Sequence, residues 1–283
     1  MRAKATPARQ RARERIAAER AARKRAAARR RLLAAAGAVT AVLAIVAVLV
    51  VVKLTASPAH RAASESAAPA ALARQVTTVP AATLAQMSAG QATTLQAVRT
   101  HGPLLMFGGK PAIVFVSEES CPFCAAERWA LTVALSHFGT WSQLCITKSS
   151  ATDVYPNTAT LSFRSARYRS AELTLSTTEL TDNVGHPLQP QTELDASLIA
   201  SYDVPPYVNS VDQSGAVPFL DIGNRFILAG AQYDPQVLAG LSAAQIAGQL
   251  SNPSSPVAQA VDGSAKVIIA AIDQVLQANT GRG

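Results

Sequence analysis

Three cysteines in 283 residues exclude a disulfide-dense scaffold, and 16% charged against 49% hydrophobic residues exclude a disordered chain. Histidine is almost as scarce, at four scattered positions, His60, His101, His137 and His186. No H-E-x-x-H, G-x-S-x-G or phosphate-binding glycine loop occurs, so the common signatures of zinc hydrolases, serine hydrolases and nucleotide-binding proteins are missing. The carboxylates Asp195, Asp203, Asp212 and Asp221 show no spacing that marks an acid/base pair, and no internal repeat is present. Negative charge is nearly absent from the start of the chain. Residues 1–31 hold 13 basic and 2 acidic side chains, a net of +11, whereas the other 252 residues hold 13 basic and 16 acidic, a net of −3. The excess charge belongs to a tail, so a basic nucleic-acid-binding domain is excluded and no nucleic-acid partner is expected.

The segment after the tail explains the asymmetry. Leu32 to Val52 is a run of 21 uncharged residues bounded by Arg31 and Lys53. A helix of that length spans roughly the ~30 Å hydrocarbon core of a bilayer. A cleaved signal peptide is the rival reading, with Ser57-Pro58-Ala59 as a small-x-small site, but its apolar region is usually only about 7–15 residues long. The sequence therefore predicts a basic cytoplasmic tail over 1–31 lying on anionic lipid, and a single transmembrane helix over 32–52. It further predicts an Ala/Ser/Pro linker over 53–80 and an extracytoplasmic domain over 81–283 at the cell membrane.

Within that domain, Ala112-Ile113-Val114-Phe115-Val116 reads as a strand buried on both faces. Four polar residues lead to Cys121-Pro122-Phe123-Cys124, and AAERWALTVALSHF, from Ala125 to Phe138, reads as a helix apolar on nearly every side. Cys121 then falls near the N-cap and Pro122 at the first helical position. The free amides of the first turn and the helix dipole favour a Cys121 thiolate, the attacking form in thiol–disulfide exchange, and Cys124 is placed to resolve a mixed disulfide. Cys145, in Gln143-Leu144-Cys145-Ile146-Thr147, reads as the second strand of the β-α-β unit, either as a small core thiol or as a further redox partner. Cys121, Cys124, His137 and Cys145 also number enough for zinc. One helix would separate the pair from His137 by roughly 20 Å, however, so no metal and no cofactor is assigned. Trp129, within the helix, and Trp141, just after it, read as core.

Strand, Cys-Pro-x-Cys and helix together resemble the thioredoxin fold, close to its glutaredoxin and Dsb-type versions. CPFCAAERWALTVALSHFGTWSQL, with the YPNT-x-T-x-SF pattern at Tyr155–Phe163, is similar to an uncharacterised family of prokaryotic membrane-anchored thioredoxin-like proteins, a domain of unknown function. The resemblance covers roughly residues 100–250. It implies an α/β, thioredoxin-like domain with an insertion, about 148–210, between the β-α-β and ββα halves, preceded by one transmembrane helix. It also implies a cis-proline loop at Val217-Pro218, leading into a hairpin over Phe219–Leu228, with Val217 presenting its backbone to an extended substrate. A helix-like segment from Asp234 to Leu250 and an amphipathic helix over 256–276 complete the domain. The pattern breaks at Phe115, where members of the fold often carry a buried acid. Glu118 and Glu119 either replace that acid or belong to a solvated loop.

Two functions remain open on the sequence. One is a membrane-tethered thiol–disulfide oxidoreductase acting on extracytoplasmic protein thiols and disulfides, with Cys121 and Cys124 catalytic and Val217 and Pro218 binding substrate. The other is a non-catalytic binding or scaffolding domain with a structural Cys121–Cys124 disulfide. Arg164, Arg167 and Arg169, in the insertion, read as a solvated face or a docking site for an acidic partner.

Overall fold

The computed structural model describes residues 65–88, 95–98, 102–209 and 213–281, all within one of two compact units, Arg61–Gly283. The expected basic tail, the expected transmembrane helix 32–52 and the first part of the expected linker lie outside the described residues. No helix among the described residues is long and apolar enough to cross a membrane.

The architecture is mixed α/β. In chain order the elements are β1 (Ser66–Ala67), α1 (Ala70–Thr77), α2 (Ala81–Gln86), β2 (Gln96–Ala97), β3 (Met106–Phe107), β4 (Lys110–Ser117) and α3 (Pro122–Ser136). The chain continues with β5 (Gly139–Ser142), β6 (Cys145–Lys148), β7 (Ala159–Ser162), β8 (Arg167–Ser170), β9 (Thr174–Glu179) and α4 (Glu193–Tyr202). It closes with β10 (Phe219–Ile222), β11 (Phe226–Ala229), a 3₁₀ turn over Pro235–Leu238, α5 (Ala243–Gln249) and α6 (Pro256–Asn279).

The main sheet runs β2-β11-β10-β4, and β3 and β9 share the far edge of β4. β9 is parallel to β4, pairing Ala112 with Thr174 through Ser117 with Glu179, and the hairpin β10–β11 lies antiparallel to it on the other side. β4 alternates strictly. Ile113 and Phe115 enter the larger core beneath α1, α3, α5 and α6, while Val114 and Val116 face a smaller core with Leu198, Phe219 and Ile227. Both faces of the strand are thus dry, which is why its sequence is apolar without interruption. In the hairpin turn, Gly223 has φ +63°, and a Cβ there would stand 2.8 Å from Val275 Cγ1, so only glycine fits.

Three expectations change. Residues 65–80 are part of the folded domain rather than spacer. Leu72 and Val76, one turn apart on α1, are buried in the main core, and β1 pairs with β6. The parallel return strand is β9, not the Cys145 segment, which lies in a separate three-stranded sheet, β1-β6-β7. The strands and helix of the expected single insertion over 148–210 are instead split by β9, lying partly between α3 and β9 and partly between β9 and β10. Lastly, the segment Asp234–Leu250 is broken into the 3₁₀ turn and α5, because Ser242 caps a new helix through a reciprocal hydrogen-bond pair with Gln245. Pro256 at the first position and the Ser255 cap start α6, and Thr192 caps α4.

Candidate functional site

The end of β4 delivers the chain through Glu118-Glu119-Ser120 to Cys121, which is the N-cap of α3 with Pro122 at the first position. As a cap, its sulfur accepts a hydrogen bond from the Cys124 N–H at 3.3 Å. Cys121 is half-buried and Cys124 is fully buried; both are free thiols. Cys124 Sγ accepts the Glu118 N–H at 3.5 Å. The Val217–Pro218 bond is cis, and Cys121 Sγ lies 3.7 Å from the Val217 carbonyl oxygen, so the four expected site residues are brought together.

The two sulfurs are driven apart chemically. Hydrogen bonding from the Cys124 thiol holds Cys121 below the usual thiol range against the opposing effect of burial; the Cys124 N–H and the Arg128 charge act in the same direction. Burial, and next the neighbouring Cys121, push Cys124 well above that range. One sulfur is set up as nucleophile, the other as a protonated partner.

Phe115 leaves no acid in the strand, and other charges occupy this region. Arg128, on α3, is fully buried and forks onto Glu179 of β9, with Nε donating at 2.8 Å and Nη2 at 2.6 Å; Nη2 also lies 3.4 Å from Ser117 Oγ. Burial works against the Arg128 charge, but Glu179 more than offsets it. Glu119 is not a solvated loop residue. It is 1% exposed and accepts a hydrogen bond from Ser162 Oγ at 2.7 Å, and burial raises its pKa. Arg128 and Glu179 went unassigned at the sequence level. An arginine inside a helix apolar on nearly every side is itself a sign of a buried cation, but its partner lies 51 residues away.

The Tyr155–Phe163 stretch also gains a role. Tyr155 packs edge-on against Phe123, Thr160 Oγ1 donates to the Ala125 carbonyl at 2.7 Å, and Ser162 holds Glu119. The stretch braces the first turn of α3 and the loop before it. Beside Cys121 a cleft of about 570 Å³ opens, with Phe123, Tyr207, Val217, Leu228 and Gly230 in its wall. Phe123 is 39% exposed, and no Lys, Arg, His, Asp or Glu lines the cleft among the described residues.

Cys145 stands apart. Its sulfur is 3.8 Å from the Gln143 carbonyl oxygen, and burial, followed by the adjacent Glu65, pushes its pKa up to about 11. At pH 8 its thiolate fraction is well below that of Cys121, whose pKa is shifted the other way, so iodoacetamide should label Cys121 first. Peptide mapping by mass spectrometry reads the ratio, and comparable rates would show that Cys145 is an active thiol. Arg164, Arg167 and Arg169 are exposed, with Arg164 3.9 Å from Glu65 and Arg167 Nε donating to Gln143. Among the described residues no cluster of three or more His, Cys, Asp or Glu is arranged to hold a metal ion. Trp129 is fully buried and donates to the Ala159 carbonyl at 3.0 Å; Trp141 is half-buried.

A family model described as "Domain of unknown function (DUF929)" matches residues 98–274. No curated protein and no solved structure matches the chain.

Proposed function

The chain belongs to that family of unknown function, and from its own site we propose that it is a thiol–disulfide oxidoreductase of thioredoxin-like fold. Cys121 is the nucleophile and Cys124 the resolving thiol. One observation carries the reading: a half-buried cysteine caps a helix and accepts the N–H of a second cysteine that is sealed from solvent. Proximity of this kind lets a mixed disulfide on Cys121 be opened from within by Cys124. The arrangement of β4, α3 and the parallel β9, followed by the hairpin β10–β11 and α6, supports the thioredoxin-like reading.

The substrate class is a polypeptide cysteine. Val217 offers its carbonyl beside the nucleophile, and the cleft continues from it with Phe123 and Leu228 in its wall, so an extended segment can lie along Val217 and Pro218 with a side chain in the cleft. We place the domain outside the cell membrane, tethered by residues 32–52 with the +11 segment on the cytoplasmic side; the charge distribution supports this.

The test is the reduction potential of Cys121/Cys124 in the full-length chain in mild detergent, measured in glutathione redox buffers by alkylation and mass, with Cys145→Ser as background. A value between about −120 and −270 mV is expected, the range of exchanging dithiols. A value below about −300 mV would mark a structural disulfide and leave a binding domain in place of an enzyme.

A further inference from the structure

Arg128 follows Cys124 by four residues and Cys121 by seven, so all three lie on one face of α3. Helical side chains lean toward the N-terminus, which carries the guanidinium up toward the first turn and the dithiol. Glu179 fixes the head through Nε and Nη2, and Ser117 supports it from the end of β4. The guanidinium is therefore held in a buried ion pair with Glu179 on the same helix face as the two cysteines, with its Nη1 left without a hydrogen-bond partner among the described residues. The groups facing it are Glu179 on β9, Glu119 in the loop after β4, and Cys124 on its own helix. Its charge lowers the pKa of both cysteines.

Resting on the reading of Cys121 and Cys124 as an exchanging dithiol, we propose that Arg128 is the positioning residue that makes this pair an oxidant. It does so by stabilising thiolate charge in the opened pair, on Cys124 as it departs and on Cys121 once it is released. A substrate thiolate attacks Cys121 Sγ; the new substrate–Cys121 bond forms as the Cys121–Cys124 bond breaks, and the electron pair leaves on Cys124 Sγ. In that sealed position water cannot solvate the charge, and Arg128 supplies the compensation. A second substrate thiolate then attacks the substrate sulfur of the mixed disulfide and releases Cys121 as thiolate. The substrate loses two electrons as its disulfide forms, and the enzyme pair gains them, Cys124 taking up a proton as the cycle closes. A strand acid would serve this step by moving a proton; here a fixed cation at the base of the site favours the reduced pair instead.

The experiment compares the full-length chain with Arg128→Lys and with the double variant Arg128→Met/Glu179→Gln, all in the Cys145→Ser background. Lysine keeps the charge opposite Glu179 but loses the second N–H edge; the double change removes both buried charges together, so neither is left unpaired. Each chain is equilibrated in glutathione buffers, and the ultraviolet absorbance of the Cys121 thiolate is followed against pH. Both variants should shift the equilibrium toward the disulfide, the double variant by about tenfold or more, equivalent to a potential lower by about 30 mV. The thiolate titration should move to higher pH. A folded variant that keeps the parent equilibrium and titration would overturn the assignment. So would failure of both variants to fold, which would make Arg128 a core residue only. A parent potential in the structural range would instead sink the oxidoreductase reading, while the ratio between variants still reports on Arg128.

Discussion

Cys121→Ser is expected to bring exchange with a peptide disulfide down to the uncatalysed rate, whereas Cys124→Ser should hold the reaction at a mixed disulfide. The difference follows from exposure. Cys124 is fully buried, so no polypeptide sulfur reaches it, and every external step passes through Cys121. With Cys121 gone, neither a nucleophile nor an accessible electrophile remains. With Cys124 replaced by serine, Cys121 still attacks, its thiolate still capped by the residue 124 N–H, but nothing opens the product from inside. Non-reducing electrophoresis of the full-length Cys124→Ser chain should show covalent adducts with a cysteine-containing peptide that dissolve on reduction, and the Cys121→Ser/Cys124→Ser double variant should show none. Residual turnover in Cys121→Ser, or no adduct in Cys124→Ser, would remove the assigned roles.

The second large effect is on stability, and its sign runs opposite to that of most carboxyl-rich domains. Glu127, Asp221 and Asp262 are fully buried, and burial raises their carboxyls to about 7, about 7 and about 8. Glu127 and Asp221 each accept one backbone N–H, from Gln232 and Asn224, which opposes the shift only in part. In the unfolded chain the same groups lose their protons near pH 4. Between about pH 4 and pH 8 the native state therefore holds protons that the unfolded state has released, and unfolding is favoured more with each rise in pH. The contribution is complete below about pH 4 and is lost by about pH 8. A proton held only in the fold is worth ~1.4 kcal/mol for each tenfold fall in proton concentration, so the three groups set an upper bound of about 9 kcal/mol between pH 5 and 8. Local relaxation brings the expected loss to about 3–5 kcal/mol. Urea unfolding at the two pH values measures it. Asp262→Asn should flatten the dependence, since neither Asp262 oxygen has a hydrogen-bond partner among the described residues. An equal or higher midpoint at pH 8 would show that these carboxyls are ionised in the fold.

The parts of the fold that were legible are those in which local pattern and tertiary environment agree. Ala112–Val116 is apolar because both faces of β4 are covered, and Cys121-Pro122 reads as a helix start because capping is decided within four residues. The hairpin after Pro218 and the last helix were visible for the same reason. The return strand was not. Thr174–Glu179 is rich in threonine and serine because it pairs with β4 alone and ends in an acid, whereas the Cys145 segment looks more like a core strand. The acid is tolerated only because Arg128 meets it, a fact stored 51 residues upstream. Residues 70–77 read as spacer for a related reason. Alanine dominates their composition, and the two apolar side chains that dock the helix, Leu72 and Val76, mean little until α3 and α5 are in place beneath them. Glu119 was ambiguous because its burial depends on Ser162, on a different sheet.

If the pair exchanges as proposed, the contrast in exposure between the two sulfurs also sets the expected course of its reaction with peroxide. Only Cys121 is reachable and biased toward thiolate, so the first product is a sulfenic acid there, with hydroxide leaving. Cys124, sealed behind it, condenses with that sulfenic acid, expelling water and closing the disulfide before a second oxidation can make the loss permanent. Cys145, held protonated, takes no part. On the proposed reading, a burial pattern suited to exchange would thus also act as a safeguard, turning oxidative damage into a reducible disulfide of the same pair.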